Sequence, residues 1–223
     1  MITLDQVKKN KQVLAYIEQS DIVLNKLDYT YHGLSHVDLV SKRAGEIAET
    51  FDFNRKKVEY AKIAGFCHDM ANFIGRGQHH YWGALLFNQI FAHHTDDLSG
   101  LTQIMHAIAS HDKYEKELVD EITAAVVIAD KSDVHRNRVR KHSRGVKNLK
   151  NDIHDRVNFA VIDNHLVLNK DTKTIELKLE IDNKMIDVMD YLEIFIERMS
   201  YCKISAQKIG CNFHLNINNF KLL

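Results

Sequence analysis

Apolar residues recur at helical spacing through the first two thirds of the chain. Leu4, Val7, Val13, Leu14, Ile17 and Leu24 fall every three or four residues and predict a helical stretch from Leu4 to about Leu27, followed by a loop from Asp28 to Ser35. Ser35 is a natural N-cap for a helix carrying Val37, Val40, Ala44, Ile47, Ala48 and Phe51, with His36 in its first turn. Val58, Ala61, Ala64 and Gly65 pattern a helix from Asn54 to Ala71, and Gly75-Arg76-Gly77 marks a loop. Further helices are expected from about His79 to Ala92, from Leu98 to Lys113 and from Glu115 to about Val139. Everything to about residue 142 reads as a compact helical bundle.

The pattern then changes period. Val157 to Leu168 and Thr174 to Ile181 read as strands; in the second, Ile175, Leu177, Leu179 and Ile181 alternate with Glu176, Lys178 and Glu180. Ile186, Met189, Leu192, Ile196 and Met199 give a helix ended by Gly210, and Phe213, Leu215 and Ile217 alternate again. The expected fold is mainly α: a helical core over residues 1–142 with a small α+β appendage of ββαβ order over 143–223. So few short strands make a thin core. The appendage is therefore expected to lean on the bundle or on a second subunit, leaving a homodimer open, and to stay out of the site.

Four polar residues sit where this pattern makes them expensive. Asp130 closes the run Ala124 to Ala129 one turn after Val126, so its carboxylate points into the core or along its rim. An ionised carboxylate buried without a partner costs several kcal/mol. His68 follows Ala64 by one turn, next to Asp69, and His36 opens the preceding helix. Each alone is more often a satisfied core histidine or a capping aspartate. Together, His36, His68, Asp69 and Asp130 call for a metal ion, imidazole and carboxylate being ordinary ligands of transition metals.

Composition narrows the setting. Of 223 residues 45% are hydrophobic, enough for one substantial domain with a smaller addition, and 30 basic residues cancel 30 acidic ones. Nothing in that balance recommends a nucleic-acid or membrane partner. The first residues lack the apolar core of a signal peptide and no run approaches a transmembrane span, so a cytoplasmic location is expected. Cys67, Cys202 and Cys211 form no CxxC pair and read as small core residues, although Cys67 adjoins His68. With no proline, turns fall to Gly, Asn and Asp.

Taken in order, His36, the His68-Asp69 doublet and Ala129-Asp130 resemble the HD superfamily of metal-dependent phosphohydrolases, over roughly residues 30 to 140. The resemblance implies hydrolysis of a phosphate ester or anhydride, with a nucleotide foremost, by water activated at one or two divalent transition metal ions (Fe, Mn, Zn, Co or Ni). One ion would be held by His36, His68, Asp69 and Asp130. In members that hold two metals a further histidine precedes a glycine by four residues and another follows an Ala-Ile pair. Here these are His79, with His80 its competitor, and His111. Asp69 would then bridge both ions.

His106 lies five residues before His111, about 140° round a helix of about 3.6 residues per turn, and becomes a candidate proton or substrate contact. The branch that cleaves dinucleoside polyphosphates resembles this chain most closely, through an acidic residue and an arginine after the Asp, here Asp133 and Arg136. Asn72 stands where many relatives have Lys. The basic run Arg136, Arg138, Arg140 and Lys141 is either a solvated helix end or a phosphate clamp. Within it Arg136 leads, with Lys131 and Arg140 as weaker substrate contacts. Asp69, Asp133 and His106 are the catalytic candidates. The alternatives are a regulatory module that binds nucleotide or metal without turnover, and an interaction domain whose histidines are structural.

Overall fold

The computed structural model describes residues 1–114, 118–140 and 153–222. It is mainly helical, with a small four-stranded sheet near the C-terminus. The first apolar stretch forms two helices, α1 (Leu4–Lys9) and α2 (Lys11–Lys26). They divide at Asn10, whose side chain accepts from the backbone N–H groups of Gln12 and Val13 and starts α2 afresh. Helix α3 (Leu34–Thr50) begins one residue before Ser35; Gly33 is the N-cap and makes no side-chain cap bond, so Ser35 lies inside the first turn.

Helix α4 (Arg55–Cys67) starts at an Asn54 cap and stops before His68, short of the expected Ala71. Residues 68–74 instead form turns, closed by bonds from Met70 N to Cys67 O and from Asn72 N to Asp69 O. Helices α5 (His79–Phe91) and α6 (Leu98–Ser110) follow. The long helix expected from Glu115 to Val139 is much shorter: α7 spans Glu121–Lys131, because the Asp120 side chain caps Thr123 N. After Ser132 the chain is irregular until a single 3-10 turn, Arg136–Arg138. The proposed start at Glu115, with Lys141, His142 and the 142/143 boundary, lies outside the described residues.

The C-terminal part opens with helix α8 (Ile153–Ala160), where a strand from Val157 was expected; β1 begins at Val161 and runs to Asn169. Strands β2 (Thr174–Ile181) and β3 (Asn212–Ile217) flank helix α9 (Val188–Ile209), which ends at Gly210 with φ 83°. That positive φ suits glycine and stops the helix. A short β4 (Phe220–Lys221), absent from the sequence pattern, completes the order β1-β2-β3-β4, in which β2 and β3 are parallel and the other pairs antiparallel.

Ile175, Leu177, Leu179 and Ile181 all face inward. Leu177 lies opposite Leu166 on one side and Leu215 on the other. Tyr191, Phe195, Met199 and Cys202 of α9 pack over this face, and these residues belong to the same apolar cluster as Val37, Ala64, Ile104 and Ala125 of the helical part. Polar contacts also join the two: Asn164 of β1 donates to the carbonyls of Ser132 and Val134 and accepts from Arg43 of α3, and the Tyr201 hydroxyl donates to Ser110 O. Among the described residues no helix is long and apolar enough to cross a membrane.

A shared core makes the sheet and the bundle unfold together. Leu177→Ala removes a fully buried side chain, with an expected cost of about 2–5 kcal/mol. Urea unfolding followed by far-UV circular dichroism should keep a single transition at a lower midpoint. An early transition confined to a minor part of the signal would show the sheet unfolding by itself.

Candidate metal centre and its cleft

The polar cluster is assembled from the ends of helices. His36 is in the first turn of α3, His68 and Asp69 follow α4, His79 opens α5, His111 follows α6 and Asp130 is next to last in α7. Helices α3 and α4 approach closely because position 65 has no side chain: a Cβ on Gly65 would stand 3.0 Å from Ser41 Cα and 3.1 Å from Val40 O. That approach brings the turn after α4 against the start of α3.

His36 Nε2 lies 3.3 Å from His68 Nε2, 3.6 Å from Asp69 Oδ2 and 3.5 Å from Asp130 Oδ1. His68 Nε2 lies 3.4 Å from Asp69 Oδ2 and 3.6 Å from Asp130 Oδ1. The other oxygen of Asp69 faces a second pair: Oδ1 is 3.1 Å from His79 Nε2 and 3.9 Å from His111 Nε2, and the two imidazole nitrogens are 3.2 Å apart. One carboxylate thus divides its oxygens between two histidine pairs. The rings are almost wholly buried.

The remaining ring nitrogens explain why this cluster suits a cation. Nδ1 of His68 is 2.8 Å from Gly65 O, that of His79 is 2.7 Å from Arg76 O and that of His111 is 2.8 Å from Ile108 O. His36 Nδ1 is 2.7 Å from Asp133 Oδ2. A backbone carbonyl only accepts, so Nδ1 carries the proton, and in a neutral ring Nε2 then presents a lone pair. Facing Nε2 lone pairs about 3 Å apart repel unless a proton or a metal cation lies between them. Two atoms each about 2.1 Å from one ion stand about 3.0 Å apart at a right angle and about 3.4 Å at the tetrahedral angle, close to the spacings here. Bonds from the outer nitrogen to a carbonyl or carboxylate are also the usual support of metal-bound histidine.

Three groups bring their ligand atoms within 4.8 Å of one another: His36, His68 and Asp130; His68, Asp69 and His111; and His79, His80 and Asp112. The residues present therefore fit a metal ion. Without one, the buried charges act on each other. Burial opposes charge on His68, but Asp69 and Asp130 outweigh it and push the imidazole up to about 10. His36 is raised too, burial and Arg138 being overcome by Asp130, Asp133 and Asp69. Burial, reinforced by His68 and His79, holds His111 well below the usual range. Asp69 and Asp130 stay well below theirs in spite of burial, Asp69 chiefly through His68 and Asp130 chiefly through Lys131.

A cleft of about 320 Å³ opens beside Asp69, His111, Asp130 and Asp133. Lys131 lines it as the sequence suggested, with Nζ 2.9 Å from Asp130 Oδ2 and 2.6 Å from Asp112 Oδ1. It holds the outer oxygen of Asp130 while the inner one faces the histidines. Asp133 is committed to His36 and to Arg138 Nη1, 2.6 Å away, which outweigh burial and lower its pKa. It orients His36 and is poorly placed to carry a proton.

Other sequence candidates are not brought into the cleft. His106 is partly exposed and pairs with Asp120 at 3.3 Å. Arg136 lies over the Phe159 ring, 5.3 Å from its centre. Arg140 binds Asp21 and Tyr29 O, tying down the loop before α3. His80 sits beside His79 with a buried Nδ1 that has no partner among the described residues, and groups with Asp112 and not with Asp69.

Residues that sequence reasoning passed over line the cleft instead. Arg76, from the Gly-Arg-Gly loop, lines the cleft 3.6 Å from Asp69 Oδ1 and donates to Asn72 Oδ1. Asn72 thus anchors a cation only four residues farther along the chain. Arg138 was visible in the basic run, but the 3-10 turn directs it inward and Arg136 away. The expectation that the C-terminal part stays clear of the site holds for the histidine–aspartate cluster among the described residues. It fails for the cleft, which His154, Asp155 and Asn158 of α8 and Arg198 of α9 also line.

The geometry sets apart two variants by metal content. His68→Ala should lose most of the transition metal bound by the parent, whereas His106→Ala should keep it, by elemental analysis after dialysis against Mn²⁺, Fe²⁺ or Zn²⁺. Saturation about a hundredfold above Kd should stabilise the parent by about 2.7 kcal/mol, so chelation should lower its melting temperature. Equal metal content in the two variants would leave the cluster without a ligand role. In comparison with known proteins, no family model, no curated protein and no solved structure matches this chain.

Proposed function

We propose that this chain is a metal-dependent phosphohydrolase of the HD superfamily, cleaving a phosphate ester or anhydride, with a nucleotide as the foremost substrate class. The observation that carries the reading is the Asp69 carboxylate, with Oδ2 turned to His36 and His68 and Oδ1 to His79 and His111, beside a cleft lined by both carboxylates and cations. His36, His68, Asp69 and Asp130 would hold one divalent transition metal, and Asp69, His79 and His111 a second; imidazole-rich sets of this kind favour such metals over Mg²⁺. When bound, these ions supply Lewis-acid polarisation of the phosphoryl group and a water of lowered pKa.

The protein's own groups have separable tasks. Asp133 and three backbone carbonyls fix the ring planes, so the four Nε2 atoms are aimed before any ligand arrives. Arg76 and Lys131 flank the carboxylates, where they can take up phosphoryl charge as it develops. No side-chain nucleophile is required, and Cys67, the thiol nearest the centre in sequence, is buried and pushed up in pKa by burial, which makes it inert.

Phosphate release from a panel of nucleoside mono-, di- and triphosphates, dinucleoside polyphosphates and p-nitrophenyl phosphate, with Mn²⁺, Fe²⁺, Co²⁺, Ni²⁺ or Zn²⁺, tests the reading. At least one substrate should turn over with metal and none after chelation. Asp69→Asn should lower kcat by at least about a hundredfold, since it alters both histidine pairs at once. Metal uptake without turnover of any member would favour the regulatory module, and failure to take up metal would favour the interaction domain.

A further inference from the structure

Four cations line the cleft: Arg76, Lys131, Arg138 and Arg198. Three already face carboxylates. Arg76 is 3.6 Å from Asp69, Lys131 is 2.6 Å from Asp112 and 2.9 Å from Asp130, and Arg138 is 2.6 Å from Asp133. Arg198 differs. Among the described residues it makes no hydrogen bond or ion pair, and its guanidinium rests on the Phe195 ring, 4.8 Å from the centre. Stacking fixes the plane of the group while leaving its N–H donors unspent.

Its place in the fold sets this cation apart. Arg198 comes from α9, while every member of the three histidine–aspartate groups precedes residue 131. It lines the cleft together with Lys131 and Tyr114, and the Lys131 ammonium lies 5.3 Å from the centre of the Tyr114 ring. Tyr114 is itself stacked on Tyr201 of α9, with ring centres 5.0 Å apart, so this wall is rigidly tied to the helix that carries Arg198.

We propose that Arg198 is a specificity determinant contributed by the C-terminal part: its open guanidinium fork receives a second anionic group of the substrate, remote from the phosphate at the Asp69 centre. The favoured substrates then carry two separated anionic groups, as phosphoanhydride chains and bisphosphates do, and simple monoesters lack one contact. An arginine fork is matched to phosphate oxygens, and each charge-assisted pair is stronger than a neutral hydrogen bond. This rests on the phosphohydrolase reading for the identity of the first group. The binding test below does not require turnover.

Isothermal titration of the metal-loaded protein with two phosphonates that resist hydrolysis separates the contributions. Methylphosphonate carries one anionic group and trimethylenediphosphonate carries two a few bonds apart. The parent should bind the diphosphonate at least tenfold more tightly, and Arg198→Gln should erase that advantage while leaving methylphosphonate affinity and metal content unchanged. Arg198→Lys should retain part of it, because the charge stays and the fork is lost. If methylphosphonate and diphosphonate weaken equally in Arg198→Gln, or neither changes, the assignment is overturned, whatever the phosphate-release panel shows. If the diphosphonate preference follows Arg198 but no panel substrate turns over, the anion site stands and the hydrolase reading falls.

Discussion

A buried carboxylate shared between two histidine pairs is the constraint on which the rest of the structure depends. Asp69 is almost inaccessible to solvent, and each of its oxygens faces imidazole nitrogens. A carboxylate in that setting must be compensated from several directions, and no single helix can supply them. The compensation comes from the ends of α3, α4, α5 and α6 and the last turn of α7. The bundle is arranged so that these ends meet, and the close α3–α4 approach at Gly65 follows from the same demand.

Much of this was legible in the chain because helical periodicity and expensive polar residues are local signals. Ala125, Val126 and Ala129 fix the buried face of α7, so Asp130 stands out against its neighbours. His36, His68 and His111 were likewise found from their places beside apolar faces or from family offsets. Helix ends were harder. Asn10, Gly33 and Asp120 each decide a boundary by a cap, and apolar spacing continues across all three. The α8–β1 junction was lost for a related reason: Val157, Ala160 and Val161 are all fully buried, and a short buried helix running into a strand reads as one apolar segment.

The cations of the cleft were the least legible. Arg136 and Arg138 are two residues apart in one basic run, and only the 3-10 turn decides that Arg138 reaches Asp133 while Arg136 lies over Phe159. Arg76 depends on a loop and Arg198 on a helix that packs against α7 from another part of the chain. Such placements are tertiary. Because β2, β3 and α9 share their core with the bundle, the C-terminal part can hold one wall of the cleft at a fixed position. Its sheet is then best understood as the support for that wall.

The histidines also keep a regular local habit: His68, His79 and His111 each direct Nδ1 to the carbonyl three residues earlier. For His68 and His111 that carbonyl lies in the last turn of a helix, where it lacks an N–H from farther along the same helix. One proton therefore finishes the helix and sets the direction of the opposite nitrogen. The exactness of the centre is thus inherited from the termination of secondary structure, and a side chain of similar donor strength but different reach would shift the helix end along with the ligand.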